Sequence, residues 1–250
     1  MSGHSKLSSI KHKKAKTDAV RGKIFTRLIK EITISAKIGG GDEAANSRLR
    51  TAIASARGAN MPQANVEKAI KRGTGELPGV VYEEATYEGY GPGGAALFIQ
   101  ILTDNKNRTV AELRHLLGKY HGNLGESGSV AWIFEKKGII QVSAESLQED
   151  EVLMAALDGG AEDIKNEDNY FEIITSPDRL EETEKALEAA SFPVESAEIT
   201  LYPQNFVKIE GNQAGQMLKL MDALDDHEDV QNVYSNFDID EKYIEELEQT

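Results

Sequence analysis

The stretch that decides the fold is residues 138–202, GIIQVSAESLQEDEVLMAALDGGAEDIKNEDNYFEIITSPDRLEETEKALEAASFPVESAEITLY. Runs rich in β-branched residues alternate here with runs whose apolar residues recur at helical spacing. The predicted strands cover 138–142, 163–166, 170–175 and 194–202, and the predicted helices cover 149–157 and 177–190. This βαββαβ order is that of the ferredoxin-like split βαβ unit. Because the unit is complete in itself, we predict a separate domain over residues 135–203.

The segments on either side of this unit, residues 77–134 and 204–250, each hold too few elements to fold alone. The first is predicted to contain strands at 80–87, 95–103 and 129–134 and a helix capped by residues 104–109. The second is predicted to contain strands at 206–210 and 230–237 and a helix at 213–224. Close chain ends tolerate the insertion of a domain. We therefore predict one discontinuous α/β domain, made of 77–134 and 204–250, with the ferredoxin-like unit inserted into it.

Residues 1–76 show helical patterns only. They begin with a polar, basic arm over 1–16, which lacks the periodicity to fold alone. Three helices are predicted, from Thr17 to the Gly39–Gly41 run, from Asn46 or Ser47 to Gly58, and from the Asn60-Met61-Pro62 stretch to Gly73. The predicted fold class is thus α+β and multi-domain. An N-terminal all-α helical bundle is followed by two α/β domains of ferredoxin-like type, the last inserted into the middle one.

The charges of the chain are divided between its two ends. The 250 residues contain 28 Lys+Arg and 42 Asp+Glu, which gives a net charge of -14. Residues 1–75 hold 16 basic and 5 acidic residues and carry +11, while the remaining residues hold 12 basic and 37 acidic and carry -25. Such a division indicates separate domains with separate partners.

The first predicted helix has two opposite faces. Its apolar face carries Val20, Ile24, Leu28 and Ile32. A cationic stripe lies opposite and consists of Lys16, Lys23, Arg27, Lys30 and Lys37, with Arg21 as an exception on the apolar side. Lysine and arginine stripes neutralise phosphates and bind duplex or folded nucleic acid with little sequence information. Since Phe25 is the one aromatic residue nearby, base stacking on single strands is disfavoured.

Patterns typical of enzymes are missing. There is no cysteine, so disulfides, thiolate zinc sites and cysteine nucleophiles are excluded. The five histidines lack zinc-helix spacing, and the stretch from Gly125 to Ser129 lacks the second glycine of a nucleophile elbow. The glycine-rich loop 89–94 leads into a strand rather than a helix, so we interpret it as structural and not as a phosphate cradle. No secretory signal or membrane-spanning run is found, and we expect a soluble cytoplasmic protein without enzymatic activity.

Two acidic groups could bind a metal, but each has a simpler interpretation. Asp104 and Asn107 could be ligands, although capping of the following helix is the commoner role of such residues. The cluster over 222–229 could collect a divalent cation, although it has no glycine-centred calcium loop. We favour a solvated acidic helix end there, and we expect no metal and no cofactor.

Several motifs together resemble the YebC/PmpR family of probable transcriptional regulators. They are MSGHSKLSSIKHKKAKTDAVRGKIFTRLIKEI, GGGD, ANMPQANVEKAIKRGTG, YEGYGPGG, TDNKNRT, GNLGESGSVAW and DVQNVYSN. The resemblance is dense over 1–135 and thin over 138–203, and the family also includes the mitochondrial translational activator of cytochrome oxidase subunit one. One departure is Leu7 with Ser9, in a stretch where the family usually has Trp in SKWSNI.

The resemblance implies three domains, an all-α one and two α/β ones, with the last inserted into the second. It implies no catalytic residues. Family members are described as DNA-binding regulators of transcription, or as ribosome-associated factors that assist translation through difficult stretches such as consecutive prolines. Both descriptions place the basic N-terminal region against a phosphate backbone.

We therefore expect a non-enzymatic, nucleic-acid-binding regulator of gene expression, in the first place a DNA-binding transcriptional regulator. The alternative is a translation factor that binds ribosomal RNA, and a third interpretation is an interaction module whose basic bundle only confers solubility. The acidic domains would repel nucleic acid, orient the bundle towards it and offer a surface to a protein partner. We expect no membrane association and a monomer or weak oligomer. Phosphate contacts are assigned to Lys6, Lys11, Lys13, Lys14, Lys16, Arg21, Lys23, Arg27 and Lys30.

Overall fold

A computed structural model describes residues 18–144, 147–167 and 169–240. The α-helices within these ranges are α1 (Asp18–Gly39), α2 (Ser47–Gly58), α3 (Gln63–Gly73), α4 (Lys106–Lys119), α5 (Glu149–Asp158), α6 (Leu180–Ala189) and α7 (Gly211–Asp225). The strands are β1 (Glu83–Tyr90), β2 (Ala96–Thr103), β3 (Asn123–Leu124), β4 (Phe134–Ser143), β5 (Asp163–Glu167), β6 (Tyr170–Thr175), β7 (Val194–Pro203), β8 (Val207–Lys208), β9 (Val230–Ser235) and β10 (Phe237–Asp238). The predicted α+β class is confirmed.

The first three helices pack around a core of their own. Asn46 fixes the turn between α1 and α2, since its side chain accepts a hydrogen bond from Leu49 N at 3.1 Å and donates to the carbonyls of Ser35 and Gly40, both at 2.8 Å. Asn46 is thus the N-cap of α2, and it is one of the two residues at which the sequence predicts this helix to start. The buried apolar cluster of the bundle consists of Ile32, Ala36, Leu49, Ala52, Ile53, Ala56, Met61, Val66 and Ala69.

A four-stranded antiparallel sheet in the order β3-β1-β2-β9 follows the bundle. Its outer strand β9 comes from far along the chain and pairs with β2, with Leu97 opposite Ser235. Side chains of β2, α4 and α7 form one buried cluster that includes Leu97, Leu113 and Leu220. Residues before and after the ferredoxin-like unit thus share a sheet and a core. This sharing supports the discontinuous domain of 77–134 and 204–250, which remains our proposal.

A second antiparallel sheet has the order β5-β6-β4-β7. The chain passes through it as β4-α5-β5-β6-α6-β7, which is the βαββαβ order predicted for residues 138–202. Its buried cluster joins Ile140, Phe171 and Ile173 of the sheet to Val152 of α5 and Leu187 of α6. The spacing of apolar residues alternates between a helical period and a strand period along this segment, and this alternation is sufficient to predict the order of its elements.

The strand predicted at 129–134 is wrong. Residues Ala131–Ile133 form a short 3-10 turn, and β4 begins at Phe134. The cause is Glu88, whose carboxylate accepts hydrogen bonds from the backbone N–H groups of Gly128 and Val130, both at 2.7 Å, and of Ala131 at 2.8 Å. Backbone groups that bind one carboxylate cannot also pair with a neighbouring strand.

Three other predicted boundaries or caps differ from the structure. Strand β1 begins at Glu83 rather than residue 80, and Val80 and Val81 are exposed. Helix α6 begins at Leu180 rather than Pro177, because a turn closed by Arg179 N and the Ser176 carbonyl precedes it. The cap of α4 is Asn105, which accepts a hydrogen bond from Arg108 N at 3.0 Å, and not Asp104 or Asn107. Among the described residues, no helix has the length and apolar character needed to cross a membrane.

Candidate nucleic-acid interface

The structure separates the predicted phosphate-binding residues into two groups. Five of them lie outside the described residues: Lys6, Lys11, Lys13, Lys14 and Lys16. The other four lie on α1, where Arg21 is exposed and Lys23, Arg27 and Lys30 follow one another at helical spacing. Residues three and four apart share a face of a helix. We call Lys23, Arg27 and Lys30 the basic face of α1.

The basic face is covered by residues 222–229 at the end of α7, which we call the acidic end. Lys23 Nζ lies 2.8 Å from Asp226 Oδ1. Arg27 Nη1 lies 3.3 Å from Asp225 Oδ1, and its Nη2 donates to the backbone carbonyl of the same aspartate. Two cations of the N-terminal bundle are therefore paired with two anions that lie nearly 200 residues away in the chain.

The third cation of the face, Lys30, is buried in the same contact. Its Nζ lies 2.6 Å from Asp229 Oδ1 and donates to the Glu228 carbonyl at 3.0 Å. Lys30 is 7% exposed and Asp229 is 3% exposed. The other oxygen of Asp229 accepts hydrogen bonds from Thr103 Oγ1 at 3.0 Å, Arg108 Nη2 at 2.8 Å and Thr109 Oγ1 at 2.7 Å. All three donors belong to the motif TDNKNRT, whose role here is to hold Asp229.

Two sequence-based interpretations are corrected by this contact. The cationic stripe does lie opposite the bundle core, but Lys23, Arg27 and Lys30 in its middle part are paired with acidic residues, and Lys30 is buried. The cluster at 222–229 is not simply a solvated helix end, because Asp229 is buried and Asp225 and Asp226 are paired. The two features with opposite charge contact each other. The nucleic-acid-binding role assigned to the basic face stays a prediction.

The environment of Asp229 keeps its carboxyl group ionised. Burial by itself would raise the pKa of Asp229, but hydrogen bonds from Lys30, Arg108 and Thr109 outweigh it and hold the pKa well below its ordinary value. The Asp229 and Asp104 carboxylates in turn raise the pKa of the Arg108 guanidinium. The centre of the contact is thus a charged network at neutral pH.

The acidic end also conflicts with the dipole of its own helix. Helix α7 ends at Asp225, and Asp226 follows as its C-terminal cap. A helix C-terminus carries partial negative charge, so acidic side chains there are unfavourable and cations are favourable. Lys23 and Arg27 supply these cations from α1 and offset the repulsion.

A cavity of about 770 Å³ opens beside the contact and is lined in part by Lys30, Tyr82 and His115. Glu112, His227 and Asp229 also line it, and their possible ligand atoms lie within 4.8 Å of one another. Lys30 and Arg108 already neutralise Asp229, and His227 Nε2 lies 3.1 Å from Glu112 Oε2. A divalent cation would have to displace these partners.

Comparison with known proteins places this arrangement in a family. A model of the TACO1/YebC N-terminal domain matches residues 5–76, and a model of the TACO1/YebC second and third domain matches residues 82–237. The chain belongs to the TACO1/YebC family. The resemblance seen in the sequence motifs is thereby confirmed.

Relatives in the TACO1/YebC family extend over the whole chain. A "probable transcriptional regulatory protein" of Geotalea uraniireducens is 56% identical over 247 residues, which are 99% of this chain and 100% of the relative. One of Trichlorobacter lovleyi is 57% identical with the same coverage. The crystal structure of a conserved hypothetical protein from Aquifex aeolicus is 46% identical, with a TM-score of 0.75 over 91% of this chain and 94% of that one.

The other cations in the bundle of this TACO1/YebC protein differ in whether they form ion pairs. Arg48 is paired with Glu31 and Glu84, and Arg57 is paired with Glu43. By contrast, four exposed cations in the last turn of α1 and the C-terminal half of α3 make no ion pair with any described residue: Lys37, Lys68, Lys71 and Arg72. The two helix ends adjoin, since a Cβ on Gly73 would lie 3.1 Å from Lys37 N. We call these four residues the open patch; Lys37 belongs to the cationic stripe predicted from the sequence, but none of the four is among the predicted phosphate contacts.

Proposed function

We propose that this protein is a non-enzymatic regulator of gene expression that binds nucleic acid through its basic N-terminal domain, with DNA as the first target. The observation that carries the proposal is the charge of +11 on residues 1–75 of a chain that is otherwise -25. Relatives more than half identical over the full length are named probable transcriptional regulatory proteins. That name supports transcription as the process.

Phosphate is the group that such a domain would recognise. Lysine and arginine neutralise phosphates and release counterions, and the binding free energy gained in this way does not depend on base sequence. The open patch offers four cations to a backbone without any rearrangement, and the basic face would add Lys23 and Arg27 once it is uncovered. Contacts to phosphate fix position and orientation but carry little sequence information. The N-terminal domain is therefore proposed to recognise a backbone and its shape.

A second candidate, binding to ribosomal RNA in translation, rests on two observations. The family model that matches the chain carries the name TACO1 beside YebC, and the sequence resembles a family that includes a mitochondrial translational activator. The exposed cations are lysines and arginines, which bind the phosphates of DNA and of folded RNA alike.

Cosedimentation with ribosomes, run beside a promoter-DNA mobility shift at the same physiological salt, tests both candidates. DNA binding that survives this salt, without ribosome association, supports transcription. Ribosome association with only salt-labile DNA binding would overturn the DNA proposal in favour of the RNA one. Failure to bind either target would overturn nucleic-acid binding altogether.

A further inference from the structure

We propose that the acidic end of α7 occupies the phosphate positions of the basic face, so that it competes with nucleic acid for Lys23 and Arg27. This inference rests on the proposed function. It adds that the protein holds part of its nucleic-acid surface closed and that binding must release the Asp225 and Asp226 carboxylates.

The spacing of the two charged rows supports this competition. Lys23, Arg27 and Lys30 lie about 6 Å and 4.5 Å apart along the helix axis, because an α-helix rises about 1.5 Å per residue. Each of them meets its own carboxylate, at 2.8, 3.3 and 2.6 Å. A row of anions at short, regular spacing is also what a nucleic-acid strand presents. The acidic end thus matches the basic face as a phosphate backbone would.

The three ion pairs differ in how easily another anion can replace them. The side chains of Lys23 and Asp226 are 40% and 66% exposed, and those of Arg27 and Asp225 are 19% and 41% exposed. The side chains of Lys30 and Asp229 are 8% and 4% exposed. Exposed pairs contribute little and are screened by salt, whereas a buried pair is costly to break. The two outer pairs are therefore the exchangeable part, and Lys30–Asp229 is the fixed point about which the contact opens.

An unused donor on Arg27 points to a ligand in the same place. Arg27 Nε is buried and has no hydrogen-bond partner among the described residues, although Nη1 and Nη2 both bind Asp225. A guanidinium group binds phosphate in a two-pronged geometry that uses neighbouring N–H donors. The aspartate leaves this guanidinium incompletely satisfied, whereas a phosphate that displaced Asp225 would meet Nε together with a neighbouring Nη donor.

The test measures the affinity of two double variants for a short duplex DNA and a short duplex RNA. The test variant is Asp225→Asn/Asp226→Asn, and the control variant is Glu188→Gln/Glu195→Gln. The control removes the same two negative charges at exposed positions in the second sheet domain. Removing the competing carboxylates should tighten binding by about threefold to thirtyfold at low salt, because each exposed pair contributes up to about fivefold to an equilibrium constant. The control should change binding by less than about twofold. Asp226→Asn alone, at the more exposed position, repeats the test should the double variant fold poorly.

Hydrogen–deuterium exchange of the full chain supplies a second readout. When the unaltered protein binds duplex DNA or RNA, amides of residues 222–229 should exchange faster, since the carboxylates that held this segment on α1 are released. Asp225→Asn/Asp226→Asn should show faster exchange there without nucleic acid.

The outcomes separate the inference from the proposed function. Binding by both variants with equal affinity, or unchanged exchange over 222–229 on saturation, overturns the competition and leaves nucleic-acid binding standing. Binding by Asp225→Asn/Asp226→Asn alone supports the competition in its strongest form. Binding by neither variant overturns the proposed function, and the competition with it.

Discussion

Asp229 is a buried anion in the contact between the N-terminal helices and the rest of the chain. It is paired with Lys30 and Arg108 and accepts hydrogen bonds from two threonine hydroxyls. Asp229→Ala would leave Lys30 buried without its counterion. Because an uncompensated buried charge costs about 3–5 kcal/mol, we expect the free energy of unfolding to fall by that amount. Urea denaturation measures it, and Asp226→Ala, in an exposed pair, should cost less than about 1 kcal/mol.

The same carboxyl group makes stability depend on acid. The pKa of Asp229 is lower in the folded protein than its ordinary value. A group of this kind contributes stability that is fully present above its unfolded pKa of about 4, and that is lost as the pH falls towards its folded pKa. Thermal unfolding between pH 6 and pH 3 should show a falling midpoint. Asp229→Asn should show a smaller fall, because an amide side chain does not titrate in this pH range. An equal fall of the midpoint in both proteins would show that Asp229 does not cause the acid dependence.

Glu88, in the motif YEGYGPGG, plays a comparable part because it binds the backbone of the motif GNLGESGSVAW. It is 7% exposed; burial raises its pKa, but hydrogen bonds from three backbone N–H groups outweigh this and lower the pKa overall. Glu88→Gln places an NH₂ group where an acceptor is needed and leaves at least one buried N–H unpaired. We expect a loss of about 1–3 kcal/mol and a looser loop. Fluorescence anisotropy of Trp132, the single tryptophan of the chain, reports the loop, and Glu126→Gln at an exposed position of the same loop should change neither quantity.

Among the secondary-structure elements, those with local causes were predicted from the sequence. Helix α2 begins and ends where its cap and its terminal glycine place it, and its apolar stripe is its buried face. The βαββαβ unit was predicted because the change of hydrophobic period is visible in one segment. The strand at 129–134 was wrong because Glu88, some forty residues earlier, binds the backbone of that segment. A side chain distant in sequence leaves no local signal of this kind.

The candidate site was only half predictable for the same reason. The amphipathic pattern of α1 showed a cationic stripe, and the cluster at 222–229 showed a negative one, but neither pattern says that the two meet. One local clue was present, since acidic residues at a helix C-terminus oppose the helix dipole and call for a cation. This clue does not say which part of the chain provides the cation. The cations come from α1 through a tertiary contact that the sequence pattern does not show. The open patch was visible as exposed cations but had no pattern that set it apart from a solvated surface.

The packing of α1 against α3 depends on a glycine. A Cβ on Gly73 would lie 2.3 Å from the Thr33 carbonyl oxygen and 2.7 Å from Ala36 Cβ, so Gly73→Ala has to separate the two helices. We expect it to destabilise the bundle by about 1–3 kcal/mol. Gly58→Ala is the matched control at the end of α2, where a Cβ would meet no described residue within 4 Å, and it should be neutral or stabilising. Thermal unfolding of the two variants measures the difference, and equal midpoints would contradict the close approach.

For the whole molecule, the separation of +11 from -25 has two consequences that act against each other. It gives the N-terminal domain the surface that we propose for phosphate, and it gives the same chain an acidic segment that covers part of that surface. The ion pairs of Lys23 and Arg27 with Asp226 and Asp225 show the second consequence directly. On the proposed function, the open patch is the surface at which nucleic acid would first contact the protein. The net charge of the chain therefore indicates neither the basic surface nor the acidic segment that covers it, whereas the positions of the charges in the fold indicate both.

This view of the molecule predicts how binding responds to salt. Reversal of three cations of the open patch, in Lys68→Glu/Lys71→Glu/Arg72→Glu, should remove up to three phosphate contacts, and each contact contributes about 0.9 to the slope of log K against log salt for duplex DNA. We expect the slope to become shallower by about 2–3, with weaker binding at low salt. The control Lys119→Glu/Lys136→Glu/Lys219→Glu makes the same change of charge at exposed lysines outside the bundle. If both variants weaken binding equally and leave the slope unchanged, the open patch does not contact phosphate, and the affinity follows the net charge of the molecule alone.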